Sequence, residues 1–402
     1  SQYQQLVALI EKSDQQPAHF VRLADRYALP FTLISYLIAG IAWWVAKNPI
    51  RFAQVLVVAS PCPLILAAPV AFVSGMSRSS TNGIVVKTGD VVEKLATIRS
   101  AAFDKTGTLT HGNLMVSAVV PHGEVSAQQL LQITASVEQD SNHVLAQSVV
   151  QAARQQSISL LQPTAMHETT AQGIEAMINQ QKVKVGRRTF VDPDNQITAA
   201  DVTAIYVVVD GHYWGRIEFQ DQLRSETPRV INKLRDYGVQ TIMMLTGDQE
   251  QIAQRIAAKI GITQVFAGLL PEQKVMHLQQ LPDQERPSMM VGDGVNDAPV
   301  LKVADVGVAM GARGSTAASE SADVVILADD LRKVANAVVI AQDTLRIAKH
   351  AVWIGIAVCV ILMLICSTGV VPTIVGAFLQ EVVDTVCILW GLRARHDFKN
   401  LM

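Results

Sequence analysis

The chain has 402 residues, enough for two or three compact units. Half of the residues are hydrophobic and the mean hydropathy is +0.26, which excludes an ordinary soluble enzyme and points to membrane helices combined with soluble domains. A formal net charge of -2 excludes the broad basic field of a nucleic-acid binder.

Residues 1–28 are polar and mixed, without the short apolar core and small-residue cleavage site of a signal peptide. The chain starts at Ser1 rather than at a methionine, so a fragment or truncated form is expected. A first apolar run, Leu29 to Ala46, is long enough to cross a bilayer, which takes about 20 residues, and carries Trp43 and Trp44 near its end, where an interface belt places them. A second run, Phe52 to Met76, is interrupted by Pro61, Pro63 and Pro69. Its Ser60-Pro61-Cys62-Pro63 segment frees backbone carbonyls, because proline removes a donor and breaks the helix. A thiol beside such a break suits a soft or borderline transition metal, so Cys62 is a candidate ligand of a transported cation.

A long polar insert follows, from about Ser77 to Lys349. Short strand-like runs at Ile98 to Phe103, Ile242 to Leu245, Ser288 to Val291 and Val306 to Ala309 alternate with helical spacing. That pattern predicts a doubly wound parallel sheet, which binds ligands at the carboxyl ends of its strands. Thr110 to about Glu218 breaks the pattern with its own helices and hairpin-like strands, as an inserted domain would.

Asp104-Lys105-Thr106-Gly107-Thr108-Leu109-Thr110 directly follows the first of these strands. A carboxylate there can attack a phosphoryl group whose charge is neutralised, and the amides of the Thr106-Gly107 loop can cradle phosphate oxygens. Asp221 and Arg224 lie where the chain re-enters the sheet. Thr246-Gly247-Asp248 ends the second strand and offers a hydroxyl to a phosphate oxygen; Lys274, in Pro271-Glu272-Gln273-Lys274, can neutralise phosphate charge. Gly292-Asp293-Gly294-Val295-Asn296-Asp297 ends the third strand with carboxylates suited to Mg²⁺, an ion that prefers oxygen ligands.

Two further apolar runs, Ala351 to Val371 and Pro372 to Leu392, form a tight hairpin. Arg332, Lys333, Arg346, Lys349, Arg393 and Arg395 flank it, which puts the polar insert on the cytosolic side. The last run carries Glu381 and Asp384 on one helix face. A carboxylate in mid-membrane costs about 2.5–3.5 kcal/mol, so both are candidates for holding a cation, or one stays protonated beside the other. The four cysteines, Cys62, Cys359, Cys366 and Cys387, all sit in apolar runs, which argues against a disulfide scaffold.

The motifs from Asp104 to Asp297 resemble those of the P-type ATPases, and the resemblance covers nearly the whole chain. It implies phosphorylation of Asp104 by ATP, Mg²⁺ ligated by Asp104, Asp293 and the backbone of Thr106 with Asp297 as a further Mg²⁺ candidate beside them, and phosphate contacts from Lys274 and Thr246, with Lys105, Gly247, Asp248 and Asn296 completing the catalytic set. Haloacid-dehalogenase-type phosphatases place a second aspartate two residues after the nucleophile; Thr106 stands there, so the acyl phosphate is expected to persist. The insert resembles the nucleotide-binding domain of the heavy-metal branch, on Glu138, His143 and Gly173, with Asp221 and Arg224 also assigned to nucleotide; Val144 and Ala171 depart from that pattern.

The fold implied is a haloacid-dehalogenase-like α/β domain with an inserted α+β domain, flanked by two pairs of transmembrane helices. Its boundaries are 1–28 for a stalk, 29–76 for two transmembrane helices, 77–110 with 219–345 for phosphorylation, 111–218 for nucleotide, 346–395 for two transmembrane helices and 396–402 for a tail. A multi-pass protein of the plasma membrane is expected, with its catalytic domains in the cytoplasm, lipid around it and no nucleic-acid partner. The family's actuator loop, Thr-Gly-Glu, is not found, so an upstream actuator-bearing segment is an expected partner, without which full turnover is not expected. The Ser-Pro-Cys break with downstream carboxylates leans towards Zn²⁺, Cd²⁺ or Co²⁺ rather than Cu⁺. A potassium-pump-type catalytic subunit and a non-pumping regulatory remnant are the alternatives.

Overall fold

The computed structural model describes residues 19–402 apart from 61, 170, 171, 195, 201, 294–296, 312–319 and 397–400, and side chains from 29 onward apart from those and 62–64. It divides into two compact units, Thr110–Arg224 and the remainder of the chain.

The larger unit is built on a seven-stranded sheet. Its strands are β1 (Ile84–Val86), β2 (Ser100–Asp104), β9 (Thr241–Leu245), β10 (Gln264–Phe266), β11 (Ser288–Gly292), β12 (Val306–Met310) and β13 (Val324–Ile326), numbered along the whole chain. The order is β1-β13-β12-β11-β2-β9-β10, with every neighbouring pair parallel except β1 and β13. Parallel strands covered on both faces read as apolar runs without alternation, and β2, β11, β12 and β13 are buried at every position. Each strand in the centre ends in small or acidic residues, so Asp104, Thr246 and Asp293 emerge side by side from β2, β9 and β11.

The smaller unit is a six-stranded sheet, β3 (Thr110–Pro121), β8 (His212–Leu223), β7 (Ala204–Val209), β6 (Gln181–Gly186), β5 (Gly173–Ile178) and β4 (Thr164–Thr169), antiparallel throughout. The helices Ala127–Glu138 and Val144–Gln155 close one face over a core of Leu130, Val149, Ile174, Val185, Ile217 and Phe219.

Among the described residues, three helices are long and apolar enough to cross a membrane: Leu29–Ala46, Arg332–Thr368 and Thr373–Arg395. Large apolar side chains face outwards on them, such as Trp44 (81% exposed), Ile374 (85%) and Phe378 (68%), as a lipid-facing surface requires. The expected second crossing, Phe52 to Met76, is instead divided into the helices Pro49–Val57 and Cys62–Thr81. Missing proline donors explain the break, while Pro69 is accommodated within the second piece. The expected third crossing, Ala351 to Val371, is the far end of a 37-residue helix, Arg332–Thr368. At 1.5 Å per residue this helix is about 55 Å long, well beyond the bilayer's hydrocarbon core of about 30 Å. It packs on the helix Gly89–Ala96 of the larger unit, and the boundary expected at 345/346 falls inside this one continuous helix.

Candidate functional site

Asp104 is the last residue of β2 and is 7% exposed. The chain then turns sharply: Thr106 is extended (φ -77°, ψ 127°) and Gly107 takes φ 73°, a conformation that favours glycine. A β-carbon at Gly107 would lie 3.3 Å from an Asp293 Oδ, so the turn brings Asp293 from β11's end over the loop that follows Asp104. Thr106 is exposed and Asp293 half-buried, so this side of the site is open.

Lys274 projects from the helix Pro271–Gln279, whose start is fixed by Pro271 in its first turn. Its Nζ donates to Asp104 Oδ1 at 2.5 Å and to Asp297 Oδ1 at 3.0 Å, and all three side chains are buried. Burial, with the charges of Asp297 and Asp293, pushes the Asp104 carboxyl up to about 6 against the pull of Lys274. Asp297 is also pushed up, by burial. Lys274 pays a desolvation penalty, outweighed by Asp104 and Asp297, which hold its ammonium above its usual range. The structure thus sets Asp297 against Lys274, not at the open edge where Asp293 stands. Lys105, counted in the catalytic set, is buried and ion-paired with Asp248. Thr246 Oγ1 accepts from the Asp248 amide at 3.2 Å, an arrangement that leaves its O–H to donate to an incoming oxygen. Gly247 is exposed beside it, and Asn296 lies outside the described residues.

This arrangement is a buried nucleophile with one cation behind it and an uncrowded face in front. Three carboxylates against one ammonium leave a negative excess, and the Asp104 and Asp293 oxygens with the Thr106 carbonyl are a hard, all-oxygen set that fits Mg²⁺.

In the smaller unit, Glu138 ends its helix 7% exposed, and burial followed by Glu168 pushes its carboxyl up to about 7. It lines a cavity of about 310 Å³ with Ser141, Asn142 and Arg154. His143 is exposed and caps the next helix, its Nδ1 accepting from the Leu145 amide at 3.2 Å. Gly173 has no room for a side chain, because a β-carbon would lie 2.3 Å from the Val185 carbonyl. Ala171 lies outside the described residues. Thr110 Oγ1 donates to Asp221 at 2.5 Å, and the fully buried Arg224 donates through Nε to the Thr110 carbonyl at 3.2 Å. They tie the paired ends of β3 and β8 together.

A family model described as haloacid dehalogenase-like hydrolase matches residues 98–305. The probable copper-exporting P-type ATPase V of Mycobacterium tuberculosis is 36% identical over 362 residues, 85% of this chain and 47% of its own length. The zinc-transporting ATPase of a Synechocystis strain is 34% identical over 350 residues, 85% of this chain and 48% of its own. A crystal structure of a zinc-transporting PIB-type ATPase in its E2.Pi state superposes with a TM-score of 0.81 at 29% identity, covering 98% of this chain and 67% of that one. The chain belongs to the haloacid dehalogenase-like hydrolases, in their heavy-metal P-type ATPase branch. It spans about half the length of these curated relatives. A solved catalytic domain of the CPx-ATPase CopB-B, described for its conformational changes upon nucleotide binding, covers 65% of this chain at a TM-score of 0.53.

Within this P-type ATPase chain, the apolar helices converge on polar groups of which the sequence singled out only Asp384 as a ligand. Cys359, 1% exposed in the helix Arg332–Thr368, lies with Sγ 3.6 Å from Gln380 Oε1 and 3.8 Å from the Ser60 carbonyl. The buried Gln380 donates through Nε2 to Asp384 Oδ1 at 2.9 Å. Glu381 is exposed on the flank of that helix beside Asp384, and no contact ties it to the Cys359–Gln380–Asp384 cluster. The Cys62 side chain and Pro61 lie outside the described residues; the helix itself starts at Cys62, next to Ser60. Among the described residues, no group of three or more His, Cys, Asp or Glu side chains could hold a metal. Cys359 and Gln380 escaped the sequence reading because a thiol and an amide in apolar helices look alike whether they face lipid or one another.

Proposed function

We propose that this chain carries the catalytic and ion-conducting machinery for ATP-driven transport of a transition-metal cation across a membrane, through an aspartyl phosphate on Asp104. The observation that carries the reading is the buried Asp104–Lys274–Asp297 constellation at the carboxyl end of β2, with the half-buried Asp293 beside it and the buried Thr246 at the end of the neighbouring strand β9. An Asp104 oxygen attacks the γ-phosphorus of ATP, the Oδ–P bond forms, the bond to the β–γ bridging oxygen breaks, and ADP leaves. Lys274 orients the carboxylate and offsets the developing charge, Asp297 holds Lys274, and Thr246 donates to a phosphoryl oxygen. Asp104, Asp293 and the Thr106 carbonyl would hold Mg²⁺, which would supply charge neutralisation on the phosphoryl group. The 111–218 segment takes the nucleotide through Glu138, His143 and Gly173, while 77–110 with 219–345 is phosphorylated.

The cargo reading rests on donor chemistry. A thiol at Cys359, an amide oxygen at Gln380, a carboxylate at Asp384 and the Ser60 carbonyl form a mixed sulfur and oxygen set, and Cys62, whose side chain lies outside the described residues, is the sequence's own candidate thiol. Such a set suits a borderline divalent ion such as Zn²⁺, Cd²⁺ or Co²⁺ better than Cu⁺, which favours sulfur alone. The test is acid-stable labelling of the membrane-bound chain by γ-labelled ATP across a panel of Zn²⁺, Cd²⁺, Co²⁺, Ni²⁺ and Cu⁺. Stimulation by a divalent ion, absent in Asp104→Asn, is expected. Labelling that persists in Asp104→Asn rules out the nucleophile, and stimulation by Cu⁺ alone rules out the cargo class.

A further inference from the structure

Two helices leave the same edge of the seven-stranded sheet. Cys62–Thr81 runs into β1, and β13 runs out to Arg332–Thr368; β1 and β13 are the antiparallel pair, and the Leu327 amide donates to the Gly83 carbonyl at 3.0 Å beside them. One of these helices starts at the Ser-Pro-Cys-Pro break, and the other carries Cys359. They are fastened to each other just outside the sheet. Arg78, 1% exposed, meets Asp343, 2% exposed, with Nη1 3.5 Å from Oδ2. Asp343 Oδ1 also accepts from Arg346 at 2.7 Å, a residue with its side chain half exposed. One helical turn before Arg78, Gly75 lies against the fully buried Thr344, where a β-carbon would come within 2.1 Å of Oγ1. The Arg78 carbonyl is capped by Thr81 Oγ1 at 2.8 Å and Asn82 Nδ2 at 2.9 Å, which fixes the helix end at this joint.

A buried ion pair is weak as a source of stability but strong as a specifier of one arrangement, since neither charge tolerates losing its partner. We propose that Arg78 and Asp343 are positioning residues that lock the two helices into one lever, coupling cation occupancy at the membrane break to phosphorylation of Asp104. Arg78 is 16 positions from Cys62 in the sequence, about 24 Å along the helix at 1.5 Å per residue. A displacement at the break therefore reaches the sheet edge as a rigid movement of both helices, because Gly75 and Thr344 leave no space for sliding and the ion pair fixes register. Arg346 gives Asp343 a second cation, so the carboxylate keeps a partner if the joint shifts.

This inference rests on the metal-stimulated phosphorylation proposed above. The experiment uses the full chain in membranes and the best-stimulating ion of the panel. It measures equilibrium binding of that ion, binding of Mg-ATP, and the ratio of metal-stimulated to metal-free labelling of Asp104. Asp343→Asn and Arg78→Met are expected to bind both ligands within about twofold of the parent while the stimulation ratio falls about tenfold or more; Arg78→Lys, which keeps the charge, is expected to retain most of it. Unchanged stimulation in Asp343→Asn and Arg78→Met, or ligand binding lost in parallel with stimulation, overturns the coupling role. A parent chain that no ion stimulates overturns the cargo reading itself, and the coupling with it.

Discussion

Replacing Lys274 with Met tests how the phosphorylation site works. Lys274 Nζ is 2.5 Å from Asp104 and 3.0 Å from Asp297, and it is the first group that lowers Asp104's proton affinity against burial and Asp297. Met keeps most of the volume and removes the charge, leaving two buried carboxylates without the ammonium between them. The cheapest relief is protonation, so the Asp104 titration moves upward from about 6, into the range of a neutral assay. The protonated acid is a poor nucleophile, and the transition state has also lost a donor at a point of developing charge, a loss of about 10²–10³ in rate. At pH 7 the labelling rate is expected to fall by about 10²–10⁴ while Mg-ATP binding stays nearly intact. The assay is the initial rate of acid-stable labelling between about pH 5.5 and 9. The parent levels off above about pH 6–7, and the variant keeps climbing through pH 8. A variant within about threefold of the parent at pH 7, or one with the parent's pH midpoint, refutes the argument.

Asp104→Asn removes a carboxylate that the fold strains to ionise. The parent's carboxyl sits near 6 in the folded chain against 3.8 without the fold, so folding takes up a proton between these values and parent stability falls as pH rises through that window. Asn escapes this loss, and thermal unfolding in detergent is expected to show the variant gaining up to about 3 kcal/mol between pH 4 and 7, at 1.36 kcal/mol per unit, with no gain below pH 4. Gly107→Ala forces a β-carbon into a φ of 73° and 3.3 Å from Asp293; the strain of about 1–2 kcal/mol is expected to appear as an increased Mg²⁺ requirement for half-maximal labelling. Cys359→Ser and Asp384→Asn each remove a proposed cargo donor and are expected to weaken metal stimulation about tenfold or more while leaving ATP binding unchanged; stimulation at the parent's ion concentration in both places the cargo elsewhere.

The central sheet was legible because its signals are local. Parallel strands buried on both faces read as short apolar runs, and the polar residue one or two positions after each run, Asp104, Thr246 or Asp293, is set at the site by strand direction alone. The pairing of Asp297 with Lys274 was not legible, since it depends on the angle at which the Pro271–Gln279 helix approaches β2. Asp221 and Arg224 lie at the re-entry point as their sequence position indicates, but their contacts with Thr110 were not legible, since they depend on the antiparallel pairing of β3 and β8.

The membrane region shows where reading by pattern stops. Hydropathy finds the apolar runs but treats all sides of a helix alike. Glu381 and Asp384 share a face in the heptad sense at three residues apart, yet a shift of one side chain decides which of them points inward. The inward row is Gln380, Asp384 and Cys387, spaced by four and three, while Glu381 lies on the lipid side of that row. A partner on another helix makes the choice: Cys359 meets Gln380, and Gln380 holds Asp384, so the amide that hydropathy counts as merely polar fixes which carboxylate belongs to the interior. A charged side chain at a lipid-facing position is tolerated only near the interface, where it snorkels to water. Glu381→Gln is therefore expected to leave the metal concentration for half-maximal labelling within about twofold of the parent, in contrast to Asp384→Asn. A loss of metal stimulation in Glu381→Gln equal to that in Asp384→Asn would mean that the last helix turns during the cycle and presents its other face to the ion.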